Sequence, residues 1–186
     1  MNKILGYYTY EGNQVNDILI SDYFQLELLG SHAKNINATA LVSKNNLQLI
    51  IQFIWYLGKD GYPITYNNDD KTIKFGRGLK MHKLLFPKIQ KGYVVDHINR
   101  NKLDNRFENL RICTQKENSY NSSKHSNSKQ NYKGIKKMKN NTWIAKIITN
   151  GNTFVIKDIL NEKDAALIYD LMAEELFGIY AGKNFQ

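Results

Sequence analysis

The chain has 186 residues, 42% of them hydrophobic, which excludes wholesale disorder and suits one large or two small domains. No apolar run reaches the roughly 18 uncharged residues of a membrane-spanning helix. The N-terminus MNKILGYYTYEGNQ lacks the apolar core of a secretory signal. A single cysteine, Cys113, excludes an internal disulfide and a multi-cysteine zinc knuckle, and it reads as a small buried residue on a strand. These features predict a cytoplasmic protein. The net charge is +9, with +8 in residues 91–140, +3 in residues 1–90 and −2 in residues 141–186. A concentrated basic segment suits a phosphate backbone, the reading its placement favours over the alternative of a solubilising surface.

In chain order, the first 35 or so residues are poorly periodic, and ILISDYFQLELL (18–29) reads as strand, helix or both. Ser43 is placed to cap a short helix that buries Leu47, Ile50 and Ile51. FIWYL (53–57), YPITY (62–66) and KTIKF (71–75) read as short strands, with turns at Gly58–Gly61 and at NNDD (67–70). GRG (76–78) breaks the chain before a short apolar helix, Leu79 to Phe86. VVDHI (94–98) is a β-branched strand, RNKLDNRFE (100–108) a polar loop and NLRICT (109–114) a second strand. Thr114 and Glu117 then form a capping box for a helix that carries Asn118 and Asn121 on one face. Residues 122–131, SSKHSNSKQN, contain no hydrophobic residue and read as a linker. YKGIKKM (132–138), TWIAKII (142–148) and TFVIKDI (153–159) are three strands joined by KNN and NGN turns. Asn161 caps a final helix whose apolar stripe, Ala165, Ile168, Tyr169, Met172, Ala173, Leu176 and Phe177, ends at Gly178.

The chemistry sits in VVDHINRNKLDNRFENLRICTQKEN. The Asp96 carboxylate and the Asn118 amide are hard oxygen donors of the kind a divalent cation takes. His97 can accept a proton from water near neutral pH. On a regular strand Asp96 and His97 point to opposite faces, so the strand must end or twist there. Arg111, on the following strand, reads either as a phosphate holder or as a solvated strand residue. Asn121 shares a helical face with Asn118 and suits helix packing or solvent as well as the site. His82, upstream on the short helix, reads as a supporting group or as a satisfied helix histidine, whereas His32 and His125 fall in polar stretches and read as surface residues.

The text from MHKLLF (81–86) through this segment resembles the HNH (His-Me finger, ββα-metal) endonucleases, in particular the homing type with Asp-His…Asn. The resemblance implies His97 as general base and Asp96 and Asn118 as ligands of one magnesium or manganese ion. It also implies that Asn109 braces the loop carrying the base. Asn118 follows Asp96 by 22 residues, the family's spacing, and stands where other branches carry a last histidine.

The tail resembles the APETALA-type (ethylene-response-factor-like) DNA-binding domain in YKGIKKM, TWIAKI and the helix NEKDAALIYDLMAEELFGIYAGKNF. Carried over by position, its DNA contacts are Lys133, Lys136, Lys137, Trp143 and Lys146. Trp143 equally suits packing beneath the helix. Val155 replaces the usual third-strand aromatic and Lys157 the glycine after it, and lysines largely replace arginines. A lysine lacks the bidentate fork that reads bases, so backbone grip is the expectation.

Together these readings predict an α+β chain: an N-terminal segment of unassigned role (1–38), a ββα-metal nuclease core (39–121), a basic polar linker (122–131) and a three-stranded antiparallel sheet packed on one helix (132–186). The expected activity is metal-dependent nicking of double-stranded DNA by a monomer or weak dimer. The rival is a DNA-binding regulator on a nuclease scaffold that no longer cleaves. The Asn-, Lys- and Ile-rich composition hints at an AT-rich mobile element, as in phage.

Overall fold

The computed structural model describes residues 1–34, 36–66, 78–124 and 128–185. In chain order these form β1 (Ile4–Tyr8), β2 (Gln14–Val15), β3 (Tyr23–Glu27), α1 (Ser31–Lys34), β4 (Thr39–Ser43), α2 (Leu47–Ile50), β5 (Tyr56–Leu57), β6 (Pro63–Thr65) and β7 (Leu79–Lys80). There follow α3 (Met81–Leu85), β8 (Tyr93–His97), β9 (Asp104–Asn105), β10 (Leu110–Thr114), α4 (Gln115–Tyr120), β11 (Ile135–Lys137), β12 (Trp143–Thr149), β13 (Asn152–Ile159) and α5 (Glu162–Phe177). The mixture of helices and mainly antiparallel sheets is the expected α+β class. Two compact units divide between Ile112 and Cys113, inside β10 and ahead of the polar stretch expected as the boundary. The NNDD turn, the KTIKF strand and His125 lie outside the described residues.

The first unit is built on a five-stranded sheet of order β2-β1-β3-β4-β9. Alternation along β3 and β4 turns Phe24, Leu26, Ala40 and Val42 into a core completed by Ile50, Trp55 and Met81. Asn2 ties the N-terminus into it: its amide donates to Glu27 O (2.8 Å) and Trp55 O (2.7 Å), and its Oδ1 accepts from Trp55 N (2.8 Å). The segment with no assigned role therefore contributes the centre of a sheet. That sheet ends on the predicted polar loop. β9 pairs in parallel with β4, Leu41 facing Asp104 and Val42 facing Asn105, and Leu41 N donates to Leu103 O (2.9 Å).

Several local expectations shift under tertiary packing. Residues 18–29 divide into a 3-10 turn, Ile18–Ile20, capped by Asp17, and then β3. Ser43 does not cap a helix with its side chain. Its Oγ instead accepts from Phe107 N (2.7 Å), another link from the sheet to the loop. Ile50 is buried as expected, but Ile51 is 41% exposed, because α2 is a single turn. FIWYL contributes only Tyr56–Leu57 to a strand, and Phe53 and Trp55 serve as core rings, edge to face at 6.0 Å. The helix expected from Leu79 starts at Met81, since Leu79 and Lys80 pair with β6.

In the second unit, β11-β12-β13 form an antiparallel sheet that packs on α5. Asn161 caps α5 by accepting from Asp164 N (2.9 Å), and Ala165, Tyr169 and Ala173 of the expected stripe are buried. Gly178 follows with φ 54°. Asp170, also buried, accepts from Asn184 N (2.7 Å) and Phe185 N (2.9 Å) and so holds the C-terminal tail. Gly134 is a required glycine, because its φ is +74° and a Cβ would lie 1.9 Å from a Tyr169 ring carbon. Gly134→Ala is expected to destabilise this unit by about 2–4 kcal/mol through overpacking and left-handed strain. The check is the urea midpoint followed through probes in residues 113–186.

Candidate active site

β8 carries Asp96 and His97, both buried, and ends at His97. The chain turns at once: Arg100 adopts φ 64° and its N–H donates to His97 O (2.8 Å). Each side chain has its own partner. Asp96 Oδ2 accepts from Arg111 Nε (3.0 Å) and Nη2 (2.7 Å) on β10, the strand paired with β8. His97 Nε2 lies 3.4 Å from Asn105 Oδ1 on β9.

The loop between β8 and β10 is held almost entirely by short amide and carboxylate side chains. Asn109 Nδ2 donates to Asn99 Oδ1 (2.9 Å) and Asp104 O (2.8 Å), and its Oδ1 accepts from Asn99 N (2.9 Å). Asn99 Nδ2 donates to Asp104 Oδ2 (2.8 Å). Arg106 reaches both Asp104 oxygens, through Nε at 2.8 Å and Nη2 at 2.7 Å. Asp104 and Asn105 are 1% and 0% exposed, so this is a polar core in which each donor must be matched. Asn105, which faces His97, is thus fixed from two sides: by the loop, where its Nδ2 donates to Lys102 O (3.2 Å), and by the pairing of β9 with β4.

His97 is tuned by this burial. Desolvation pushes its pKa below the usual imidazole value, opposed by the hydrogen bond to Asn105 and the charges of Asp96 and Asp104. The neutral form of the ring is therefore more favoured than in a free imidazole. His82 on α3 is 5% exposed and stands perpendicular to His97 with ring centroids 5.2 Å apart. Its Nδ1 has no hydrogen-bond partner among the described residues. Burial, then His97, Lys80 and Lys83, pull its pKa down to about 3.

Asn118 is carried by the second unit on α4. The expected capping box is present: Glu117 N donates to Thr114 Oγ1 (3.2 Å) and Thr114 N to Glu117 Oε2 (2.7 Å). The far end of α4 is anchored inside its own unit. Tyr120 stacks on Phe177 at 3.9 Å, and Gly182 N donates to Tyr120 O (3.2 Å). Asn121 is buried at the C-cap, in keeping with packing.

The other expected DNA contacts separate into two groups. Arg111 is paired with Asp96 and so is engaged by the site carboxylate. Lys133 Nζ donates to Tyr120 O (2.8 Å) and Ser122 O (2.7 Å), bonds that fasten the end of α4. Trp143 packs against the core beneath α5. Lys136 and Lys146 are exposed, and with Ile144 and Ile148 they line one shallow groove on the sheet. Lys137 is exposed as well, its ammonium 5.9 Å from the Trp143 ring. Asn105, the partner of His97, was missed by sequence reasoning, because one asparagine among many in a polar loop carries no sign of burial.

Asp96 and His97 thus lie buried at a strand end, beside a braced polar loop and a returning strand whose Arg111 pairs with Asp96. Residues 83–120 match the family model described as HNH endonuclease. An HNH endonuclease of Acanthamoeba polyphaga mimivirus, described as uncharacterized, is 37% identical over 179 residues, covering 94% of this chain and 88% of that protein. No solved structure matches the chain. The chain belongs to the HNH endonuclease family and is a DNA-cleaving hydrolase. No helix among the described residues is long and apolar enough to cross a membrane.

Proposed function

We propose that this chain is a metal-dependent, homing-type DNA endonuclease that nicks one strand, with His97 as general base. The observation carrying this reading is the buried Asp96–His97 pair at the end of β8, inside the segment that matches the family. Donation of Nε2–H to Asn105 Oδ1 would leave Nδ1 as the nitrogen that takes the proton from water. Asn109 acts at one remove, by holding the loop that presents Asn105.

The donor set fits a hard cation. Among the described residues no group of three or more His, Cys, Asp or Glu is placed to hold a metal. A magnesium-class ion needs only one or two protein oxygens plus substrate phosphate. Asp96 and Asn118 are the residues that would supply them. Arg111 Nε and Nη2 each donate to Oδ2 of Asp96, which orients the carboxylate. When bound, such an ion supplies charge relief at the scissile phosphate and at the 3′ leaving oxygen.

Products would carry 5′-phosphate and 3′-hydroxyl ends. One site per chain implies nicking by a monomer, and cutting of both strands through a weak dimer or two events. The sheet of the second unit, through Lys136, Lys137 and Lys146, is proposed to grip the DNA backbone in the manner of an APETALA-type domain. Supercoiled plasmid incubated with magnesium or manganese is expected to give open circles, and EDTA is expected to stop the reaction. Equal nicking in EDTA would overturn the metal-dependent reading, and salt-sensitive binding without cleavage would favour the regulator.

A further inference from the structure

Tyr62, His82 and His97 form a closed triangle of rings. Tyr62 lies 5.0 Å from His82 and 5.8 Å from His97, and His82 lies 5.2 Å from His97. The three planes differ: Tyr62 is inclined 51° to His97, and His82 is perpendicular to it. Edge and tilted contacts of this kind are the arrangements that aromatic quadrupoles favour.

Tyr62 is itself held from outside. Lys80 Nζ stands 3.9 Å and Lys102 Nζ 4.7 Å from its ring centroid. Both ammonium groups are also bound to Asp60: Lys80 to its carboxylate at 2.6 Å, Lys102 to its carbonyl at 2.8 Å. The turn beneath is closed by Gly58 N donating to Tyr62 O (2.8 Å), with Gly61 at φ 80°. Tyr62, Lys80 and His82 all precede residues 83–120, the span matched by the family model.

We propose that Tyr62 and His82 are positioning residues for His97, fixing the plane of its imidazole from outside the family segment. This rests on the reading of His97 as the base. The hydrogen bond to Asn105 is long, at 3.4 Å. Rotation of the His97 ring about Cβ–Cγ would drive it into Tyr62 or His82.

The test is single-turnover nicking of plasmid with magnesium, alongside the DNA Kd, for the full chain and its variants. Tyr62→Ala is expected to lower the cleavage rate about 10–100-fold, the scale set by a misplacement near 1 Å, with the Kd unchanged. Tyr62→Phe, which keeps the ring, is expected to recover most of that loss. His82→Leu is expected to behave like Tyr62→Ala. The ¹⁵N signals of the His97 imidazole are expected to report one tautomer in the wild type and a mixture in Tyr62→Ala. Should Tyr62→Ala fail to fold, Tyr62→Leu keeps apolar bulk without the ring and is expected to lose the same rate. Wild-type cleavage by the folded Tyr62 variants while His97→Ala is inactive would overturn positioning and leave the base assignment intact. Wild-type cleavage by His97→Ala would instead overturn the assignment on which the proposal stands.

Discussion

A His97→Ala protein is expected to bind DNA and to cleave it about 10²–10⁴-fold more slowly, the usual contribution of a positioned general base. Alanine removes the imidazole at the end of β8 and leaves its neighbours in place: Asp96 stays paired with Arg111, and Asn105 stays bound through Lys102 O and its strand pairing. Loss of rate with DNA affinity retained is therefore the signature, read as plasmid nicking against a binding isotherm. In the proposed role of general base, His97 is also expected to set the acid limb of the pH profile. The base must be neutral, and burial lowers its pKa. Activity is expected to persist below the ordinary imidazole midpoint of about 6.5 and to fall only at lower pH. Unchanged nicking by His97→Ala would remove His97 from the chemistry.

The second large effect is on stability. In the unfolded chain His82 binds a proton at its ordinary value of about 6.5, whereas in the folded protein it resists until about pH 3. Between those values the unfolded state holds more protons, so acid favours unfolding. The stability conferred by keeping this ring neutral is fully present above about pH 6.5 and is lost as pH falls toward 3, on the order of 4–5 kcal/mol over the whole window. His97, depressed in the same direction, adds to the slope. Urea midpoints at pH 7 and pH 4.5 are expected to differ more for the wild type than for His82→Phe, whose ring cannot be protonated. Equal acid sensitivity of the two proteins would show that His82 is charged in the fold.

The geometry also explains why the N-terminal residues belong to the enzyme. The loop that presents Asn105 to His97 is paired with β4, β4 is paired with β3, and β3 with β1. Ser43 takes the amide of Phe107, and the Arg106 guanidinium lies 4.7 Å from the centre of the Tyr23 ring. A sheet made of residues 4–43 thus steadies a loop some sixty residues further along the chain.

The amino-acid sequence by itself determined the features that depend on near neighbours. These are the strand Tyr93–His97, the strand after it, the Thr114–Glu117 capping box, the three tail strands and the capped helix with its stripe, each written as a local period or cap. It also pointed to the nuclease family that the comparisons show, because an Asp-His pair, a later Asn and a basic surround are visible without a fold. Tertiary structure decided which polar groups are buried and with whom. Nothing local marks Asn105 as the partner of His97, Arg111 as the partner of Asp96 or Lys133 as a clamp on α4. Such partners lie eight, fifteen and thirteen residues apart in this chain, and the triangle of Tyr62, His82 and His97 spans thirty-five. Burial of a polar side chain is a property of the whole sheet and loop around it, so it is fixed only when those distant strands close.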